Sequence, residues 1–270
     1  MAIANFIPQV WSARLQENLH KALVFGALCN RNYEGDIAQW GDTVHINTLN
    51  DITVKPYDPA VSIADPEQLS GTDTILAIDH GSYYNFFIND ADAAQACADV
   101  MDAAMRNAAY QLAADAEKYI ISTIREDAGK KITAAMPTAA DGKLYELLLN
   151  IKTIFDTAGV PRYDRKLVIP PALESLLLLD SRFITGSAMA ADRLAEGAVA
   201  RALGFDIFIS VDLDDEIVAM IPDAVTFANQ ITKVDAYRPE NGFSDGLKGL
   251  CLSGAKVILP DAVLVCTLTK

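Results

Sequence analysis

Clustered basic residues, paired cysteines, long apolar runs and histidines are all scarce in this sequence, and each shortage removes a class of function. Lysine and arginine total 22 against 36 aspartates and glutamates, giving a formal net charge of −14 and a pI near 4.5. The cations are scattered along the chain, so no surface is expected to grip a phosphate backbone by sequence. The four cysteines, Cys29, Cys97, Cys251 and Cys266, form no C-x-x-C pair and have no histidine at metal-ligand spacing. With Cys97 and Cys266 in apolar helical and strand contexts, they read as buried free thiols of a cytosolic product. No run of about eighteen apolar residues occurs, and the N-terminal "MAIANFIPQVW" lacks a basic region followed by an apolar one, so neither a membrane anchor nor an export signal is expected. His20, His45 and His80 are the only histidines, and with no G-x-S-x-G nucleophile turn they are assigned structural roles.

What is present is enough apolar material for a sizeable core: 51% of 270 residues, sufficient for one large domain or two small ones. Residues 9–28 space Val10, Trp11, Leu15, Leu19, Leu23 and Val24 at helical intervals after Pro8, predicting an amphipathic N-terminal arm. Gly35 and Gly41 mark turns, and Val44, Ile46 and Thr48 then alternate as in a strand, with Ile52 and Val54 as a second alternating piece. Pro56, Pro59 and Pro66 keep the next stretch out of any sheet interior. After Gly71, residues 72–88 read as one returning strand, so that 42–87 forms a two-stranded excursion whose inner part is too polar to fold on itself.

Asn89 or Asp90 can cap the next element, and Asp90 and Asp92 suit the positive end of a helix. From there to about Asp127 the chain is alanine-rich without Gly or Pro, with Cys97, Met101, Ala104, Ala108, Leu112, Ala116 and Tyr119 as the expected buried stripe. Gly129, Lys130 and Lys131 are read as the stop. Such a helix is about 55 Å long at about 1.5 Å per residue. An α/β alternation follows: helix 143–159, strand 165–171, a helix opening at Pro171, a short helix near 190–202, and strands at 205–211 and 216–222. The last sixty residues are strand-rich, with turns expected at "ENG" and "LSGAK".

Three chemically tempting stretches are set aside. "EDAGKKIT" (126–133) resembles the end of a phosphate loop, but the first glycine of that motif falls on Ile124. "GFSDGLKG" (242–249) has no helix after it, so it reads as a turn instead of a dinucleotide site. Asp212, Asp214, Asp215 and Glu216 form an oxygen-rich turn that lacks the glycine and distant glutamate of a calcium loop, and it reads as a solvated acidic turn.

The order of elements, carried by "YEGDIAQWGDTVHI" (33–46), "LAIDHGSYYNFFINDADAAQA" (76–96), "LGFDIFIS" (203–210) and "AYRPENGFSDGLKGLCLSGAKVILPDAV" (236–263), resembles the major capsid proteins of tailed phages, the Hong Kong ninety-seven fold. The resemblance implies an α+β subunit with an N-terminal arm (1–30), a connector (31–41), an extended β-ribbon loop (42–87) and a spine helix of the peripheral domain (88–134). An α/β axial domain (135–220) and closing peripheral strands (221–270) complete it. It implies a structural protein and no enzyme, assembling as hexamers and pentamers into an icosahedral shell around double-stranded DNA. No cofactor or metal is expected, and the place is the virion, after synthesis in the host bacterial cytoplasm. Thr53, Lys55, Tyr57, Asp58, Asp65 and Glu67 of the loop, and Trp11, Leu15 and Leu19 of the arm, are the expected intersubunit contacts. A separate scaffolding protein and a portal are the expected partners, with no membrane and no sequence-specific DNA binding. Lys55 reads as a solvated edge lysine and not as a cross-linking group. A nanocompartment of the same fold, or a small α/β enzyme using the turn at 212–216, are the alternatives.

Overall fold

Two periodicities sort the chain: alternating apolar residues make three sheets, and one long alanine-rich segment makes the helix packed against them. A computed structural model describes residues 24–34, 40–49, 52–54, 66–68, 70–89, 100–137, 143–179, 201–239 and 244–269. A short helix, α1 (Phe25–Leu28), precedes strands β1 (Thr43–Leu49), β2 (Gly71–Ala77) and β3 (His80–Asn89). The long helix α2 (Val100–Asp127) leads into β4 (Lys130–Ala135), α3 (Lys143–Thr157), β5 (Arg165–Ile169), α4 (Pro171–Leu179), β6 (Phe205–Ile209) and β7 (Glu216–Met220). Strands β8 (Val225–Tyr237), β9 (Ser244–Val257) and β10 (Val263–Thr269) follow.

β1 and β2 pair with each other alone, β3-β9-β8 form an antiparallel sheet, and β4-β10-β7-β5-β6 form a mixed one. β7 and β10 are neighbours in the five-stranded sheet, and their continuations β8 and β9 are neighbours in the three-stranded one. Both passages are made by the same four residues, Pro-Asp-Ala-Val, at 222–225 and at 260–263. Each begins as a single 3₁₀ turn, where proline's missing N–H leaves nothing unpaired. The Ile258 N–H donates to the Ala224 carbonyl at 2.8 Å and holds the passages side by side. The exit from α2 into β4 runs against the second of them, where the Gly129 N–H donates to the Pro260 carbonyl at 3.0 Å. A Cβ on residue 129 would stand 2.5 Å from that oxygen, so the contact requires glycine.

Burial in the main core explains the local sequence. α2 presents Met105, Ala109, Leu112, Ala116, Ile120 and Ile124 inward, its alanines letting the helix lie close to the three-stranded sheet. α3 buries Leu144, Leu147, Leu148, Ile151 and Phe155 and ends before Gly159, whose φ of +72° is the left-handed stop expected there. Arg165, at the head of β5, is 1% exposed. Its guanidinium donates to the carbonyls of Val160 at 2.6 Å and Pro161 at 2.7 Å, pairs with Asp156 at 2.9 Å and lies 5.5 and 5.7 Å from the ring centres of Phe155 and Phe205. A buried cation is tolerated only with its donors used in this way.

Several expectations are corrected. The stretch 72–88 is two strands in different sheets, divided at Ile78 and Asp79, where the Ile78 N–H donates to Asp42 O at 3.0 Å and Gly41 donates to Ile78 O at 3.1 Å. Ile52 and Val54 belong to no strand. The buried stripe of α2 keeps Leu112 and Ala116 but passes through 105 and 109 in place of 104 and 108, because alanine is apolar on too many faces to fix the phase. "LSGAK" lies inside β9, whereas the stop expected at Gly129 to Lys131 holds: α2 ends at Asp127, Lys131 Nζ donates to the Glu126 carbonyl at 2.9 Å, and Lys130 and Lys131 also open β4, which pairs parallel with β10. Residues 1–23, with the arm contacts Trp11, Leu15 and Leu19, lie outside the described residues, as do Cys97, the short helix near 190–200 and the "ENG" turn.

Candidate intersubunit surfaces

The β1–β2 ribbon has its own small core. Ile46, Leu76 and Ile78 are buried against Ala228 and Leu252 of the three-stranded sheet, with Tyr33, Val44 and Ile258 around them, separate from the main cluster. The register, Val44 opposite Leu76 and Ile46 opposite Thr74, puts these residues on one face and His45, Ile75 and Asp73 on the other. There His45 Nδ1 lies 2.7 Å from Asp73 Oδ2. Beyond the paired strands Ile52 is 67% and Val54 92% exposed. Between them Thr53 turns the other way, its N–H and hydroxyl donating to the Glu67 carboxylate at 3.2 and 3.3 Å. Two of the six expected loop contacts, Thr53 and Glu67, are thus brought together, while Lys55, Tyr57, Asp58 and Asp65 lie outside the described residues.

A second surface is the face of the β3-β9-β8 sheet turned away from α2. Tyr83 and Phe87 project from it, 78% and 62% exposed, and the register sets Leu250 beside Tyr83, Lys248 beside Asn85 and Gly246 beside Phe87. On β8, Tyr237 crosses Gly246, where a Cβ would meet the ring at 2.7 Å. The Tyr237 hydroxyl donates to Asn85 Oδ1 at 2.8 Å, and the Lys248 ammonium sits 5.4 Å from its ring centre. The result is a flat aromatic patch edged by Lys248, Lys233 and Asp235. An apolar patch of this kind in an acidic chain makes the face a candidate contact surface. Sequence reading named neither Tyr83 nor Phe87 as a contact, because the paired aromatics Tyr83–Tyr84 and Phe86–Phe87 put rings on both faces of β3.

The opposite face of β3 meets α2 across a groove of about 740 Å³ lined by Tyr84, Phe86, Ala104, Ala108 and Gln111. Ser82 and Asp115 line it as well and come together with His80, a set that invites comparison with a hydrolytic triad. His80 Nε2 lies 2.8 Å from Asp115 Oδ2, Ser82 Oγ lies 3.3 Å from the same nitrogen, and the Ser82 hydroxyl donates to the same carboxylate oxygen in a short hydrogen bond. A triad needs serine and carboxylate on opposite ring nitrogens; here both meet Nε2, and the serine proton is already given to Asp115. Burial pushes the Asp115 carboxyl up, but the bonds from Ser82 and His80, with the charges of His80 and Lys118, outweigh it and hold it below the usual range. Tyr119 stacks on the His80 ring at 4.3 Å and donates to Asp79 at 2.8 Å. The cluster clamps β3 to the helix.

In the acidic turn, Glu216 pairs with Arg125 at 2.6 Å, and no group of three metal-ligating side chains occurs among the described residues. The thiols of Cys29, Cys251 and Cys266 are buried and free, pushed up by burial to about 12, 11 and 11, which leaves them protonated and unreactive.

A flat aromatic sheet face and a ribbon with only a small core of its own, beside a long helix, leave apolar surface open for other subunits. The family model described as phage capsid protein matches residues 82–265, more than half of the chain and everything from β3 into β10. The chain belongs to the phage capsid protein family. This capsid chain is similar to a structure from Mycobacterium phage Che8, at 28% identity and TM-score 0.74 over 98% of this chain and 94% of that one. It is also similar to the capsid structure of Cyanophage P-SCSP1u, at 17% identity and TM-score 0.72 over 92% and 89%. A virus-like particle from Pyrococcus furiosus shares the fold, at 14% identity and TM-score 0.60 over 97% and 99%. No curated protein matches the sequence. The capsid chain has the Hong Kong ninety-seven fold and is a structural shell protein of a phage virion.

Proposed function

We propose that the subunits close a shell by laying the β1–β2 ribbon of each across a neighbour, with Thr53, Lys55, Tyr57, Asp58, Asp65 and Glu67 on that contact and Trp11, Leu15 and Leu19 of the arm on another. The observation that carries this is the ribbon itself: Ile52 and Val54 stand in the open beyond a base fastened by a handful of buried side chains. An isolated two-stranded ribbon is marginal in water and a liability at its edges, so a long one implies a surface supplied from outside. Many modest contacts of this kind make a closed assembly far more stable than any single pair.

On this reading the subunits form hexamers and pentamers of an icosahedral shell around double-stranded DNA. The acidic chain encloses the polyanion without gripping it. Residues 135–220, with α3, α4 and β5 to β7, are the axial domain, and α2 with the closing strands of 221–270 is the peripheral domain, β4 and β10 joining the two through the five-stranded sheet. A separate scaffolding protein and a portal complete the assembly in the host bacterial cytoplasm. Deleting residues 50–70 is expected to leave a folded subunit that no longer assembles. Negative-stain microscopy checks the loss of shells and circular dichroism the fold; an unfolded deletion product would refute the division made here. The likeness to the virus-like particle favours a second reading, a protein-filled compartment, and cargo proteins co-purifying in place of DNA would decide for it.

A further inference from the structure

Of the two edges of the three-stranded sheet, one is guarded and the other is not. On β8 the register breaks between Ile231 and Lys233, and Lys233 and Asp235 put charge on the strand. The connector also bonds to its first residues, the Asn30 N–H donating to the Val225 carbonyl at 2.9 Å and the Phe227 N–H to the Asn30 carbonyl at 3.0 Å. Bulges, charges and covering segments keep an edge from pairing with a foreign strand. β3 has none of them. Its ten residues include no proline, lysine, arginine or acid, it pairs with β9 without a break, and no strand lies on its other side among the described residues.

That free edge opens on the groove between β3 and α2. Gly81, Tyr83 and Phe87 line the groove together with Ser82, Tyr84 and Phe86, residues from both faces of the strand, so the space reaches round the edge itself. Tyr84 leans inward over Gly249 of β9, where a Cβ would meet its ring at 2.4 Å, and Phe86 stacks on it at 5.9 Å. Above them α2 offers the small side chains of Ala104 and Ala108, with Asn107 and Gln111 exposed at the rim. A strand added beside β3 would lay its inward side chains in this space.

We propose that residues 51–55 of one subunit pair as a fourth strand with the free edge of β3 in another copy, Ile52 and Val54 filling the groove against Ala104 and Ala108.

The inference rests on the ribbon reading and adds the surface that receives the ribbon. Ile52 and Val54 stand exposed on either side of Thr53, the spacing of one face of a strand. The Thr53 N–H is held by Glu67 of its own ribbon at 3.2 Å; in a paired strand successive N–H groups point to opposite sides, so those of Ile52 and Val54 point outward. Pro56, which has no N–H, ends the segment. The subunit's own β3 is out of reach. The tip lies beyond Leu49 and Gly71, the far end of a ladder whose base, Thr43 and Ala77, is where the chain turns toward β3. Charge agrees with the pairing, since residues 50–70 carry four acids and one lysine, while Arg106 of α2 and Lys248 of β9 are exposed on either side of β3.

The test is disulfide capture on the full-length, unassembled subunit carrying Ala108→Cys, with Ala104→Cys as the second position for a different register. Two peptides copy residues 50–57, one with Val54→Cys and one with Thr53→Cys, and the wild-type subunit is the blank for the native thiols. The Val54→Cys peptide should be captured on the order of tenfold more than the other, because only it reaches α2 while keeping Ile52 in the groove. Its capture should also slow amide exchange at every second residue of β3. Equal capture of both peptides at both positions, or no alternate slowing along β3, overturns the proposal. So does a residue-108 thiol that a small reagent cannot reach, which would mean that the chain's own residues 1–23 already fill the groove. The ribbon reading fails separately, if the subunit lacking residues 50–70 still forms shells.

Discussion

Leu76→Ala separates the ribbon's small core from the main one. Leu76 is fully buried, but among Ile46, Ile78, Ala228 and Leu252 and not in the cluster around α2. A buried leucine cut back to alanine costs about 3–5 kcal/mol. At about 1.4 kcal/mol per factor of ten, even the lower figure raises local opening of the ribbon more than a hundredfold. The seven residue pairs of β1 and β2 cannot absorb that loss, since a two-stranded ribbon barely holds in water. Limited proteolysis should therefore cut within 40–78 early, while the main thermal transition of the subunit stays within a few degrees of wild type and assembly falls sharply. Phe155→Ala, in the main core, should do the reverse and lower the main transition by an amount matching about 3–5 kcal/mol. If Leu76→Ala lowers the main transition as much as Phe155→Ala and produces no early cut in the ribbon, the two cores are one cooperative unit and the reasoning fails.

The sheet face and the seam yield further tests. Phe87→Glu places a charge on the exposed aromatic patch; the subunit's stability should change by no more than about 0.5 kcal/mol in denaturant unfolding, while shell formation, followed by light scattering, should be blocked. Gly129→Ala drives a methyl group into the Pro260 carbonyl, a backbone atom that cannot rotate away, and should cost roughly 1–3 kcal/mol in the same unfolding measurement.

Where the sequence was legible, one local rule had no competitor. The alternation of Val44, Ile46 and Thr48 became β1, and the left-handed glycine at 159 ended α3. Pro171 opened α4. Apart from the phase of α2, the misreadings share a cause, since they turned on a partner distant in sequence. Ile78 and Asp79 break the run 72–88 because Gly41 and Asp42 bond there, and no residue within the run announces it. "LSGAK" looked like a turn, but Gly254 sits in β9 because a Cβ there would meet the Ala77 carbonyl at 2.4 Å. The stop at Gly129 to Lys131 was legible, α2 ending at Asp127 with Lys131 Nζ donating to the Glu126 carbonyl at 2.9 Å, but the pairing of Lys130 and Lys131 with β10 was not. The ribbon's prolines and polar tip were legible, and they carry the proposal that it needs outside support. The aromatic patch was not, because whether Tyr83 and Phe87 face a core or the open depends on which side α2 packs.

The separate fastening of the ribbon has a consequence for geometry. In the shell of hexamers and pentamers proposed above, chemically identical subunits stand at points of unequal curvature, and something in each subunit must differ between them. Ribbon direction here is set by five buried side chains outside the main core, so it can vary from place to place as a local adjustment. The sheets and the long helix need not repack for the shell to bend.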